Sequence, residues 1–255
     1  MTSTYFALSK KLAFGLVLLT AFLSTPSYAA KATKPYSMDG EFGFILTTGN
    51  TETTSISAGI KGTQELADWS NEYTLEGLYK QDEVSVGDSM RRETTAQKLF
   101  LSGQGNYKLN NPKQRLFVFS SYEDDRFSSF KYQATVALGW NQQLIEDNVQ
   151  KFNYSVGPGY SFAQDQMGKS LNSLIVRAAL DYSYKLSENA RITQTLSTEY
   201  GEDNTKSRSK TSVIAQLTNG LSMKVSLKLD HNSDVEPGTE KLDTETSVTL
   251  VYSFF

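Results

Sequence analysis

From Tyr36 to the end of the chain, apolar and polar residues alternate at a period of two. Leu221, Met223, Val225, Leu227 and Leu229 share one phase, and Ser222, Lys224, Ser226, Lys228 and Asp230 share the other. Successive side chains of a strand point to opposite faces, so this run predicts a strand with one apolar and one polar face. A helix would scatter the same residues around its axis. Leu174, Val176, Ala178, Leu180, Tyr182 and Tyr184 repeat the pattern, as do Tyr132, Ala134, Val136, Leu138 and Trp140. Twelve such segments are predicted, near 36–46, 54–64, 70–80, 95–107, 115–122, 132–142, 151–162, 173–186, 190–200, 210–217, 221–231 and 244–254. Most are about ten residues long, matching the ~9–11 that a tilted strand needs to cross a bilayer. Strands of soluble domains average about five or six.

The links between segments sort by parity. Even-to-odd links are short: 65–69, 108–114, 143–150, 187–189 and 218–220. Odd-to-even links are longer (81–94, 123–131, 163–172, 201–209 and 232–243), with 47–53 the short exception. Short turns at one rim and longer loops at the other are the habit of outer-membrane barrels. Aromatic residues gather at both ends of the apolar phase. Trp69, Tyr73, Tyr107, Trp140, Phe152, Tyr184, Tyr252 and Phe254 lie toward the short turns; Tyr79, Tyr122, Tyr132, Tyr160, Phe162 and Tyr200 lie toward the long loops. Two girdles of this kind belong where a wall crosses the lipid interfaces. The predicted fold class is all-β, a transmembrane antiparallel up-and-down barrel of about twelve strands.

Composition narrows the alternatives. The 255 residues include no Cys and one His, so a disulfide scaffold, a thiol nucleophile and a structural zinc site have no ligands to draw on. Residues 1–29 read as a secretory signal peptide. Lys10 and Lys11 precede the apolar run Leu12–Leu23, and Ser27-Tyr28-Ala29 offers a cleavage site. Residues 30–255 are then the barrel domain. Removing the two signal lysines from 25 basic residues leaves 23 against 28 acids, a formal charge of −5. An acidic chain with no basic run is not expected to bind nucleic acid.

The polar phase should face the lumen. It carries Asp39, Glu41, Lys61, Glu72, Glu76, Lys80, Lys98, Gln104, Arg177, Asp181, Lys185, Glu199, Lys224, Lys228, Asp230 and Glu245. Glu72, Glu76, Arg177, Asp181, Lys224 and Lys228 are the leading candidate lumen charges. Two readings stay open: a plug of ion pairs, or the lining of a water-filled channel. Eight strands give a filled interior and sixteen an open one, and twelve falls between. If strands one to three face strand eleven across the lumen, their acids and its lysines would set up a transverse field.

Other chemistry is sparse. His231-Asn232-Ser233 resembles the His and Ser spacing of outer-membrane phospholipases, where a base must reach the hydroxyl. A lone His beside a turn is the competing reading. Proteolysis by paired Asp and His has too few residues to work with. Asp230, Asn232 and Asp234 begin like a calcium loop, but Val235 stands where Gly is needed and Lys241 where Glu is needed. The acidic external loops could still hold a loose divalent cation. Asp125-Arg126-Phe127 is a candidate loop anchor, with Arg126 pairing a lumen carboxylate or a lipopolysaccharide phosphate while Phe127 packs down. No catalytic residue, metal site or cofactor is assigned.

The apolar stripe Val248, Leu250, Tyr252 and Phe254, followed by Phe255, resembles the C-terminal assembly signal of outer-membrane proteins, though one residue out of its usual frame. Gly49-Asn50-Thr51, Asp125-Arg126-Phe127, Gly157-Pro158-Gly159-Tyr160, and Asp243-Thr244 leading to Leu250-Val251-Tyr252-Ser253-Phe254 together resemble the salt-induced outer-membrane proteins grouped as domain of unknown function 481. The resemblance covers essentially the whole of 30–255. It implies an outer-membrane location and a barrel, with a salt or osmotic link in name only, and it carries over no active site. Expected partners are outer-membrane lipid and lipopolysaccharide, with periplasmic chaperones and the barrel-assembly machinery during biogenesis. Three functions remain in play: a small passive pore, a closed structural or surface-interaction barrel, and an outer-membrane lipase.

Overall fold

A computed structural model describes residues 35–47, 53–86, 89–235, 238 and 240–255. The signal peptide expected at 1–29 and the Gly49-Asn50-Thr51 motif lie outside the described residues. Residues Lys34–Phe255 form one unit. It contains β1 (Tyr36–Thr47), β2 (Thr53–Glu65), β3 (Trp69–Val86), β4 (Ser89–Lys108), β5 (Gln114–Asp125), β6 (Phe130–Glu146), β7 (Gln150–Asp165), β8 (Ser173–Lys185), β9 (Ala190–Gly201), β10 (Thr205–Thr218), β11 (Leu221–Asn232) and β12 (Leu242–Ser253). Each strand pairs antiparallel with its sequence neighbours, and β1 pairs with β12 to close the ring. That seam is short, joining Asp39–Phe42 to Leu250–Ser253. Ser253 Oγ donates to Asp39 Oδ1 at 2.6 Å and fastens it. Closure matters because an open edge would leave unpaired N–H and C=O groups in hydrocarbon.

The predicted phases hold around the wall. Outward side chains include Phe42, Leu99, Val118, Leu138, Val176, Val225 and Leu250, all exposed, with Leu138 at 61%. A belt of this size on a lone chain has no aqueous explanation. The girdles are built from ring contacts. Trp69 meets Tyr107 at 5.3 Å, and Tyr252 meets Phe254 at 5.1 Å, at the end carrying the short turns. Tyr122 stacks on Tyr132 at 6.2 Å, and Tyr160 meets Phe162 at 4.8 Å, at the loop end. Phe254 also packs against Gly40, where a Cβ would lie 2.9 Å from its ring. Phe254 therefore sits on the outer wall beside β1.

A hydrogen-bonded polar patch interrupts the belt on β9 and β10. Gln194 Nε2 donates to Ser209 Oγ at 2.9 Å, Thr211 donates back to the Gln194 carbonyl, and Thr198 bonds Ser207 at 3.1 Å. These groups satisfy one another, which offsets the cost of facing an apolar surrounding.

Two features differ from the sequence reading. The links at the loop end are shorter than predicted, because strands occupy much of the predicted loop sequence. β3 and β4 run on to Val86 and from Ser89, leaving only 87–88 between them where a loop over 81–94 was expected. Beyond the lipid a strand needs no apolar face, so alternation no longer marks it. The second feature is the β6–β7 ladder, which lapses between Ala137–Gly159 and Trp140–Val156. Pro158 lies in that gap and has no N–H to donate. A Cβ on Gly157 would run into the Leu138 carbonyl, and one on Gly139 would lie 2.6 Å from the Gly157 Cα and 3.0 Å from the Phe117 ring. The Gly-Pro-Gly motif thus permits close strand approach and leaves room for a ring inside. In the β10–β11 turn, Gly220 has φ of 81°, a conformation that penalises other residues.

Candidate functional site

The inward faces form a lumen with two different halves. In the loop-end half, side chains from opposite walls meet. β4 and β5 lie across the ring from β10 and β11. Glu123 on β5 accepts Lys98 at 2.8 Å, Lys206 at 2.8 Å and Arg208 at 2.7 Å. Arg208 also donates to Asp230 at 2.6 Å, and Lys98 reaches Asp230 at 3.2 Å and Asp125 at 3.5 Å. Lower on the same wall, Lys210 donates to Glu76 at 2.7 Å, while Lys228 stands 3.6 Å from both Glu76 and Asp230. Lys224 pairs with Glu41 at 2.7 Å. Glu123, Lys224, Lys228 and Asp230 are buried. Desolvating one such charge alone is costly; the network offsets that cost by giving each charge several opposite neighbours.

The packed side of the lumen lies along β5–β8. Phe117 and Ala137 are each 1% exposed and cluster with Phe119. The Arg177 guanidinium lies 3.7 Å above the Phe119 ring and 3.7 Å from Glu199. Thr135 donates to Glu199 at 2.8 Å across the interior. Arg177 Nε and Nη1 have no hydrogen-bond partner, so the cation–π contact and the nearby carboxylate carry its charge.

In the half nearer the turns the interior is divided. Along β3–β6, the inward Ser70, Asn106, Asn141 and Gln143 are buried. Elsewhere in this half, Lys61, Asp181, Arg191 and Thr195 are in the inward phase and exposed to solvent. The part of the interior that these wet residues face is the chamber.

All six leading candidates are therefore in the lumen, but they divide. Glu76, Lys224 and Lys228 join the bridge, Arg177 sits on the packed side, and Glu72 and Asp181 face the chamber. The transverse arrangement expected of strands one to three and strand eleven is replaced by direct pairing, Glu41 to Lys224 and Glu76 to Lys228. The centre of the bridge went unpredicted. Glu123, Lys206 and Arg208 fall within the predicted links 123–131 and 201–209. Phase continuity would have found Glu123, since Phe117, Phe119 and Ser121 precede it at period two, and Lys206, Arg208 and Lys210 alternate the same way.

The proposed loop anchor needs correcting. Arg126 and Phe127 are both exposed, Phe127 at 51%. Asp125 does the anchoring: its Oδ1 accepts the Phe127 N–H at 3.0 Å while its carboxylate faces Lys98. The ring that packs down is Phe130, 3% exposed. A lipase pair is not assembled either. Ser233 Oγ donates to Asn204 Oδ1 at 3.2 Å and accepts the Thr205 N–H at 2.8 Å, which leaves its proton turned away from His231. Among the described residues, no group of three or more His, Cys, Asp or Glu is placed to hold a metal.

An apolar outer belt between aromatic girdles, closed around a charged interior, defines a β-barrel of the outer-membrane type. The chain belongs to the family described as protein of unknown function, DUF481, whose model matches residues 40–254. It is 24% identical over 225 residues to the uncharacterized protein YdiY of Escherichia coli (strain K12), spanning 88% of this chain and 85% of that one. Among solved structures it is similar to an outer membrane channel from Pseudomonas putida F1, with a TM-score of 0.50, 11% identity, and coverage of 91% of this chain and all of that one. At that identity the likeness is one of fold.

Proposed function

We propose that this protein is a narrow outer-membrane channel for small hydrated ions, constricted in its loop-end half by the charge bridge. The observation that carries the reading is the wet chamber: Lys61, Asp181 and Arg191 face inward and remain in contact with solvent. A barrel filled for rigidity alone would bury or pair them. The fold-level likeness to a channel agrees with this. Outer-membrane lipid and lipopolysaccharide would surround the belt and the loop-end rim. The salt link implied by the resemblance enters only through the bridge, because ionic strength weakens ion pairs where water reaches them.

A second reading has its own observation. The bridge spans the lumen and its central charges are buried, which favours a closed barrel acting through its loops. Ion flux in proteoliposomes separates the two. The channel reading expects potassium and chloride to equilibrate faster than in empty vesicles while a disaccharide stays excluded. Ion flux no greater than in empty vesicles rejects it and leaves the closed barrel.

A further inference from the structure

The lumen is lopsided in its constricted half, and the lopsidedness points to a route. On the β5–β8 side, Phe117, Phe119, Ala137 and Arg177 pack against a glycine-lined wall, and the cavity beside them is only about 10 Å³. On the β1–β3 and β12 side, small residues share the inward face with Glu41, Glu76, Leu78 and Glu245: Gly43, Ser57, Gly59, Ser247 and Thr249. There the structure holds a cavity of about 60 Å³ lined by Glu41, Gly59, Glu76, Lys210, Glu245 and Ser247. A cavity of that size with charged and hydroxyl groups in its wall holds water, which needs only about 10–15 Å³ per probe-sized site and polar partners around it. Thr249 also lines the cavity, and its buried Oγ1 has no hydrogen-bond partner in the protein. An orphaned hydroxyl facing a polar void is where an ordered water belongs.

The geometry points to an ion path through the constriction along β1–β3 and β12, by way of this cavity, with Gly59 and Ser247 setting its bore. The permeant species are small inorganic ions, because only a few water-sized steps fit between the lysine and glutamate side chains. Lys210 and Lys228 lean into this path from β10 and β11 while held by Glu76. A passing ion exchanges places with their contacts rather than with the tighter cluster at Glu123. This inference rests on the channel reading and adds the side of the lumen that conducts.

The native chain has no Cys, so a single introduced thiol is a clean probe. Ser247→Cys and, as a second position, Ser57→Cys would be tested beside Ala137→Cys in the packed cluster, in planar bilayers. A small cationic methanethiosulfonate reagent is added during recording. Open-channel current should fall at least twofold on modification of Ser247→Cys or Ser57→Cys, and change by less than a tenth at Ala137→Cys. Labelling at both cavity positions without a current change overturns the route while leaving the channel intact. Absence of labelling at both in a conducting barrel also overturns it. A wild-type barrel that carries no current overturns the channel reading itself, and the route with it.

Discussion

Replacing Glu123 by Ala should be the most damaging single charge removal in this barrel. Its carboxylate receives three cations within 2.8 Å, and its side chain is 9% exposed. The partners do not lose equally. Arg208 keeps Asp230 at 2.6 Å, and Lys98 keeps Asp230 at 3.2 Å and Asp125 at 3.5 Å. Lys206 has its ion pair with Glu123, and its side chain is 17% exposed. The expected loss is therefore that of one orphaned, mostly buried charge plus two weakened contacts, about 3–5 kcal/mol. Water entering the lumen would bring the value toward the lower end of that range. Guanidinium unfolding of the barrel from lipid vesicles measures it. The same logic says that Glu123→Ala with Lys206→Ala should cost less than the sum of the two single changes by at least about 1.5 kcal/mol, the coupling expected of a close charged pair. A single-variant loss below 1 kcal/mol, or strict additivity in the cycle, would refute the view that Glu123 is the hub of the bridge.

Further outcomes follow from individual residues. Arg126→Ala should change unfolding stability by less than about 0.5 kcal/mol, since the side chain is exposed; a larger loss restores it as the loop anchor. Leu138→Arg, in the lipid-facing belt, should destabilise the barrel by about 2–4 kcal/mol in vesicles, and an unchanged midpoint would mean that Leu138 does not face lipid. Asp147, in the β6–β7 turn, accepts the Val149 and Gln150 N–H groups, each at 2.8 Å, and these backbone donors hold its carboxyl below the ordinary aspartate value. Its contribution should be complete above about pH 4, the unfolded-state value, and be lost as pH falls through the lower folded-state value. A carboxyl titration midpoint at or above about 3.9 by nuclear magnetic resonance would contradict this.

Much of the barrel was legible because hydrocarbon enforces a strict rule on it. Where a wall has lipid outside and water inside, every second residue must be apolar, so Leu221–Leu229 announces both its strand and its phase. The same rule put Glu72, Glu76, Arg177, Asp181, Lys224 and Lys228 on the inner face. It failed where one of its conditions lapsed. On β10, the outward partners of Lys206, Arg208 and Lys210 are Ser207 and Ser209, so no apolar phase survived to mark the strand. Those serines are tolerated because Gln194 and Thr198 on β9 bond to them. On β3 and β4 the strands outrun the lipid, and strict alternation lapses. Pairing across the lumen could not be read at all. Alternation says which way Glu123 and Arg208 point, but only ring closure brings β5 and β10 within reach of each other.

The claim that most needs testing is that a wet, charged lumen conducts and that the bridge limits it. Single-channel recording of residues 30–255 in planar bilayers, wild type against Glu76→Gln with Lys210→Gln, addresses both parts at once. The expected result is small, stable steps for the wild type and a conductance raised severalfold in the double variant, whose neutral side chains no longer form the ion pair between β3 and β10. A silent wild type, or steps of equal size in both proteins, would contradict it.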